Sequence, residues 1–116
     1  MIDSISNIFL KNLSTTNFAS LDWQEFRDGV MIFPIYTSDV SAASSALLKY
    51  VPGAAVARHE HTGYEHLFVL EGSQEDERGI YSKGDFVVNK PCTNHWVKST
   101  EGCVVLAIWE KPVQFV

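Results

Sequence analysis

The chain has 116 residues, 46% of them hydrophobic and 20% charged, which is the balance of one globular domain and not of a disordered segment. A formal net charge of −5 and a pI near 5.2 argue against a nucleic-acid partner and against attraction to an anionic membrane, both of which select basic patches. Cys92 and Cys103 are too few for a secreted disulfide framework.

Residues 1–10 carry no basic n-region and too short an apolar stretch for a signal peptide, and no segment has the length of a transmembrane helix. The expectation is a cytoplasmic protein with free thiols. Residues 12–17, rich in Ser and Thr, read as a loop or arm. Residues 21–26 suit a helical turn with Ser20 as its N-cap. Gly29 precedes an apolar run, residues 30–36, that reads as a strand with Pro34 at an edge or bulge.

From residue 44 the chain becomes a series of short strand-like runs with frequent turn signals. Residues 46–51 end at Pro52-Gly53, residues 65–71 end at Gly72-Ser73, and residues 74–76 and 79–81 are brief. Residues 85–89 follow Lys83-Gly84. Residues 96–99 and 103–109 flank Glu101-Gly102, a candidate hairpin turn, and residues 113–116 suit a last strand. Such spacing, with almost no helical periodicity, indicates an all-β sandwich or barrel.

Three of the four histidines fall within eight positions, and the fourth is His95. His59 and His61 are two apart and share a face if the segment is a strand, and Glu65 has the same parity. Two imidazoles and a carboxylate from two adjacent strands could converge on one point. That donor set suits Fe(II), Mn(II), Ni(II), Co(II) or Zn(II) rather than Ca²⁺ or Mg²⁺. A His-x-His pair also occurs on surface strands by chance, so spacing alone leaves a metal site and solvent-facing histidines both open.

The segment from Gly53 through His59, His61 and Glu65 to Gly72 resembles the first cupin motif, G-x5-H-x-H-x3-E-x6-G, without gap or substitution. Gly84 and His95 match the second motif, G-x5-P-x-G-x2-H-x3-N. There Lys90 stands at the proline position with Pro91 one place later, Cys92 at the second glycine and Ser99 at the asparagine. Residues 67–72 and Glu101-Gly102-Cys103 look like the cupin domain of ChrR anti-sigma factors. The resemblance implies a single cupin jelly roll with an N-terminal arm, holding one divalent transition-metal ion (Fe, Zn, Mn or Ni) through His59, His61, Glu65 and His95. Small relatives in that branch include metal-dependent dioxygenases for diketones or hydroxyaryl ketones. Full ChrR proteins add an N-terminal zinc-binding helical domain, and residues 1–40 supply none of its His/Cys ligands, so sigma-factor inhibition is not carried over.

Strand parity sends His66 to the face opposite Glu65. The same parity turns Leu67 and Val69 inward, and an outward Lys49 turns Leu48 and Tyr50 inward. Asp85 and Asn89 prefer solvent, which makes Phe86 and Val88 inward positions. Leu48, Tyr50, Leu67, Val69 and Phe86 would then line a mainly apolar pocket for a small organic molecule, or simply fill a narrow barrel. Glu75-Asp76-Glu77-Arg78 reads as a solvated hairpin tip, and Tyr81, Trp96 and Trp109 as packing residues. Three functions follow: a metal-dependent dioxygenase-like enzyme for a small ketone or diketone, a metal-binding sensor or regulatory module, and a structural subunit. The N-terminal arm and the strand around Ile32 suggest a homodimer, because an exposed apolar strand edge otherwise invites aggregation.

Overall fold

The computed structural model describes residues 7–116. Short apolar and β-branched runs, separated by glycine turns, form ten strands. These are β1 (Gln24–Arg27), β2 (Val30–Thr37), β3 (Ser44–Tyr50), β4 (Ala54–Glu60), β5 (Glu65–Asp76), β6 (Gly79–Ser82), β7 (Phe86–Asn89), β8 (Asn94–Ser99), β9 (Cys103–Trp109) and β10 (Gln114–Phe115). Every pairing is antiparallel, in the order β1-β2-β3-β9-β5-β8-β4-β10, with β6 and β7 both joined to β5. Among the described residues no helix is long and apolar enough to cross a membrane.

The sheet curls so that its two halves enclose one core. Val30, Leu48, Tyr50, Leu67, Val69, Cys103, Val105 and Ala107 come from one half, and Ala54 and Val97 from the other. A second apolar cluster lies on the outer face, where the N-terminal arm covers the sheet. Phe18 packs there against Leu47, Leu70 and Val104, and the Trp23 indole N–H donates to the Phe18 carbonyl at 2.7 Å. β3 is therefore buried on both faces, with Leu48 and Tyr50 inside and Leu47 under the arm. Burying a side chain such as Phe18 stabilises by about 2 kcal/mol.

β5 turns the corner between the halves. Its first part pairs with β7 and β9, and its last part with β6 and β8. The register shifts between Val69 and Glu71, and Gly72 adopts φ 71°. One extra residue in a strand exchanges its faces. Upstream of the shift Glu65, Leu67 and Val69 face the core; downstream Gln74 and Asp76 are the buried positions.

Several expectations are corrected. Residues 21–26 form no helical turn. Ser20 closes a 3-10 turn (Phe18–Ser20), with its hydroxyl bonded to the Asn17 carbonyl, and Gln24–Arg27 joins the open edge of β2. The runs at 65–71 and 74–76 are one strand, because Gly72 bends it without ending it. Glu101-Gly102 is not a hairpin turn. β8 pairs with β4 and β5, and β9 with β3 and β5, so the turn carries the chain between halves. Phe86 and Val88 point outward at 59% and 43% exposure, and Val87 packs on the core between them. Pro34 does adjoin a register shift in β2, between Pro34 and Tyr36.

A Cβ at Gly72 would collide with the Gly102 carbonyl oxygen and would sit at a positive φ. Gly72→Ala is expected to destabilise the protein by about 3 kcal/mol, seen as a lower denaturant midpoint at unchanged slope. An unchanged midpoint would show that the corner relaxes freely.

Candidate metal site

His59 and His95 occupy directly paired positions of β4 and β8. His61 follows the end of β4 and is fixed by the 90–93 loop: its N–H donates to the Thr93 carbonyl at 2.8 Å, and its carbonyl accepts from the Cys92 N–H at 2.9 Å. All three rings are buried and meet edge to face, with centroids 4.6–5.4 Å apart. Glu65 does not come from a strand adjacent to β4, as the spacing suggested; β8 lies between β4 and β5.

The hydrogen bonds assign the ring protons. His59 Nδ1 lies 2.9 Å from the Ala57 carbonyl, and His95 Nδ1 lies 2.9 Å from Asp76 Oδ2. Both partners only accept, so both Nδ1 atoms donate. His61 Nδ1 lies 3.0 Å from Thr93 Oγ1, whose own proton goes to the Lys90 carbonyl at 2.6 Å. That hydroxyl therefore accepts from His61. Each neutral imidazole then presents a bare Nε2 lone pair, and the ligand atoms of the three lie within 4.8 Å of one another.

The Nε2 atoms of His59 and His95 are 3.1 Å apart. His61 Nε2 is buried 3.1 Å from Glu65 Oε1, yet the angles allow it no hydrogen bond. Converging buried acceptors with no donor are costly. A cation among them removes the conflict, and imidazole nitrogens suit a late first-row divalent ion. The trio fits a metal by its own geometry.

Glu65 stands beside this trio, touching His61. Its cross-strand neighbours on both sides hold its carboxylate: Asn89 donates to Oε1 at 2.8 Å and the Trp109 indole N–H to Oε2 at 2.7 Å. Burial alone would raise its pKa. The N–H donors of Asn89 and Trp109 act against burial, and the carboxyl is held below its ordinary value. Asp76 is similar: burial would raise it, but Arg78, His95 and the Tyr81 hydroxyl hold it well below the usual carboxylate range. Arg78 also donates to Asn89 Oδ1 at 2.6 Å and so links the supports of His95 and Glu65. Burial pulls His59 and His95 below the ordinary histidine value.

The site opens on a cavity of about 320 Å³. Leu48 and Tyr50 line it together with Ile32, Val56, Trp109 and Phe115, and His59 and Glu65 form its buried end. Leu67 and Val69 belong to the core behind it. Phe86, expected in the pocket, lies on the outer surface beside His66. The reason is Asn89: its amide is used by Glu65 and Arg78 inside the barrel, which turns the alternate residues of β7 outward.

Asp76 and Arg78 are site supports and not a solvated tip, and Trp109 is a donor as well as a packing residue. The hairpin-tip reading missed Asp76, which the shift at residues 69–71 turns inward on the continued strand. Cys92, at the motif's second glycine, keeps a glycine-like φ of 69° and so preserves the loop that holds His61.

A curled antiparallel barrel with histidines converging in this way defines a cupin. The chain belongs to the family described as the ChrR cupin-like domain, which matches residues 11–114. No curated protein matches it. Among solved structures it is similar to an acetylacetone dioxygenase from Acinetobacter johnsonii (TM-score 0.80, 14% identity, 96% of this chain and 78% of that one). It also resembles a chain in the Rhodobacter sphaeroides complex of SigE with the anti-sigma ChrR (0.69, 26%, 78% and 50%). A third likeness is to a Ralstonia eutropha protein of unknown function with a cupin-like fold (0.70, 17%, 76% and 59%). The matched region thus spans only 50% and 59% of the lengths of the last two.

Two outcomes are expected. Asp76→Asn should weaken metal affinity about 10- to 100-fold by loosening the His95 ring, measured by competition with a chromophoric chelator; an unchanged affinity would remove Asp76 from the site. His59 and His95 have folded-state pKa values below the unfolded value of 6.5, so the unfolded chain binds more protons in that window. The metal-free protein should therefore lose stability as pH falls from 7.5 to 5.5, and denaturant midpoints that rise on acidification would contradict this.

Proposed function

We propose that this cupin is a metal-dependent, dioxygenase-like oxidoreductase acting on a small ketone or diketone. The observation that carries this reading is a cluster of three buried imidazoles of which His59, together with Glu65, lines a mainly apolar cavity sized for a small organic molecule. Its likeness in fold to an acetylacetone dioxygenase supports it.

His59, His61 and His95 would hold the ion, with Glu65, whose Oε1 lies 3.1 Å from His61 Nε2, as the carboxylate ligand beside them. A divalent ion would supply Lewis acidity toward a carbonyl or enolate oxygen and, as Fe(II), reactivity with O₂. The chain's own part is positional. Asp76, Thr93 and the Ala57 carbonyl keep each imidazole proton on Nδ1 and so keep Nε2 available. The apolar walls orient the carbon skeleton and exclude water. Tyr50 lines the cavity, and burial raises its phenol well above its ordinary pKa, so its O–H stays neutral.

The family match and the 26% identity to a chain of the SigE–ChrR complex favour a second reading, a metal-binding regulatory module without turnover. Aerobic incubation of the Fe(II)-loaded protein with a panel of β-diketones and small oxo-carboxylates separates the two. The enzyme reading expects oxygen uptake that disappears in His61→Ala. Absence of uptake with every substrate and metal, in protein shown by elemental analysis to carry one ion, would overturn it in favour of the module.

A further inference from the structure

The cavity carries a group that a neutral diketone does not use. Arg27 is the only Lys or Arg among its lining residues. It sits at the register shift in β1, between Glu25 and Arg27, where a bulge re-aims a side chain. Its guanidinium carbon lies 4.6 Å from the Phe26 ring centroid and 4.5 Å from that of Phe115. The Phe115 ring in turn lies 5.6 Å from the His59 ring. The cation is thus one aromatic ring away from the metal-binding histidines, on the open side of the same cavity.

The chain has three arginines. Arg58 is paired with Glu77 and Asn94, and Arg78 with Asp76 and Asn89. Arg27 makes neither an ion pair nor a side-chain hydrogen bond among the described residues, although Glu25 and Asp28 are close in sequence. Rings bind a guanidinium through its face and leave its N–H edge free, and that edge matches a carboxylate with two parallel hydrogen bonds. Tyr50 lines the same cavity. In a protein of net charge −5, an anion entering this space needs such a local cation.

We propose that the site takes a small oxo-carboxylate. Its carbonyl oxygen would face the histidine end, its aliphatic body would lie against Ile32, Leu48 and Val56, and its carboxylate would bind the Arg27 edge. This rests on the reading of the cavity as the substrate site and narrows the substrate from neutral ketones to anionic ones.

Isothermal titration of the full chain, metal-free and Zn(II)-loaded, tests it with 5-oxohexanoate against its neutral counterpart 2,6-heptanedione, and with the pairs one carbon shorter and longer. At least one acid should bind about tenfold or more tightly than its diketone. The preference should vanish in Arg27→Gln, survive in part in Arg27→Lys, and weaken with salt. Equal affinity within every pair, preference for the diketone, no binding of any acid, or a preference that Arg27→Gln retains would each overturn it. Failure of the metal reading is separately visible: Zn(II) would not bind the wild type, while the Arg27-dependent preference would persist in metal-free protein.

Discussion

Three buried imidazoles aim lone pairs at one another, and most of the interior is arranged to make that tolerable. Each Nδ1 proton is committed to an acceptor, so no ring can turn its N–H inward to relieve the contact. The unsatisfied Nε2 of His61 and the short approach of His59 to His95 are what remain. A protein without use for a cation has no reason to hold such an arrangement, since every buried acceptor left without a donor costs stability.

The supports of the histidines reach across both halves of the barrel. Asp76 comes from the end of β5, Glu65 from its beginning, and Arg78 joins them through Asn89. β5 can serve both ends only because it changes faces at the Val69–Glu71 shift and bends at Gly72. A straight strand of twelve residues would point either Glu65 or Asp76 away from the core. The corner that closes the barrel is therefore also the device that lets one strand brace two parts of the site.

The cavity has two chemically different ends. The buried end carries His59 and Glu65, and the open side carries Arg27 stacked between Phe26 and Phe115. Residues of β1 and β10, short edge strands at opposite ends of the strand order, meet over the cavity at the Arg27–Phe115 contact. Edge strands of this kind have few partners of their own, and here they serve as walls of the site.

Much of this was legible from spacing. Strand-like runs and turn residues marked most of the strands of residues 44–109, and the resemblance to the cupin motifs through His59, His61, Glu65 and His95 named the histidines that meet. Local patterns failed where the chain bends or where a polar residue has a partner inside. Asn89 reads as solvent-facing until Glu65 and Arg78 are seen to occupy its amide, and that single assignment reversed Phe86 and Val88. Asp76 and Trp109 were hidden for the same reason, and Arg27 is an ordinary edge residue until β10 brings Phe115 over it. The sequence by itself determined the all-β class, which is written in short-range periodicity, and, through its resemblance to the cupin motifs, the histidine set. Only the tertiary structure decided which way each lone pair points, that Glu65 stands beside the trio, and which cation faces the cavity, because those depend on hydrogen bonds and contacts between residues far apart in the chain.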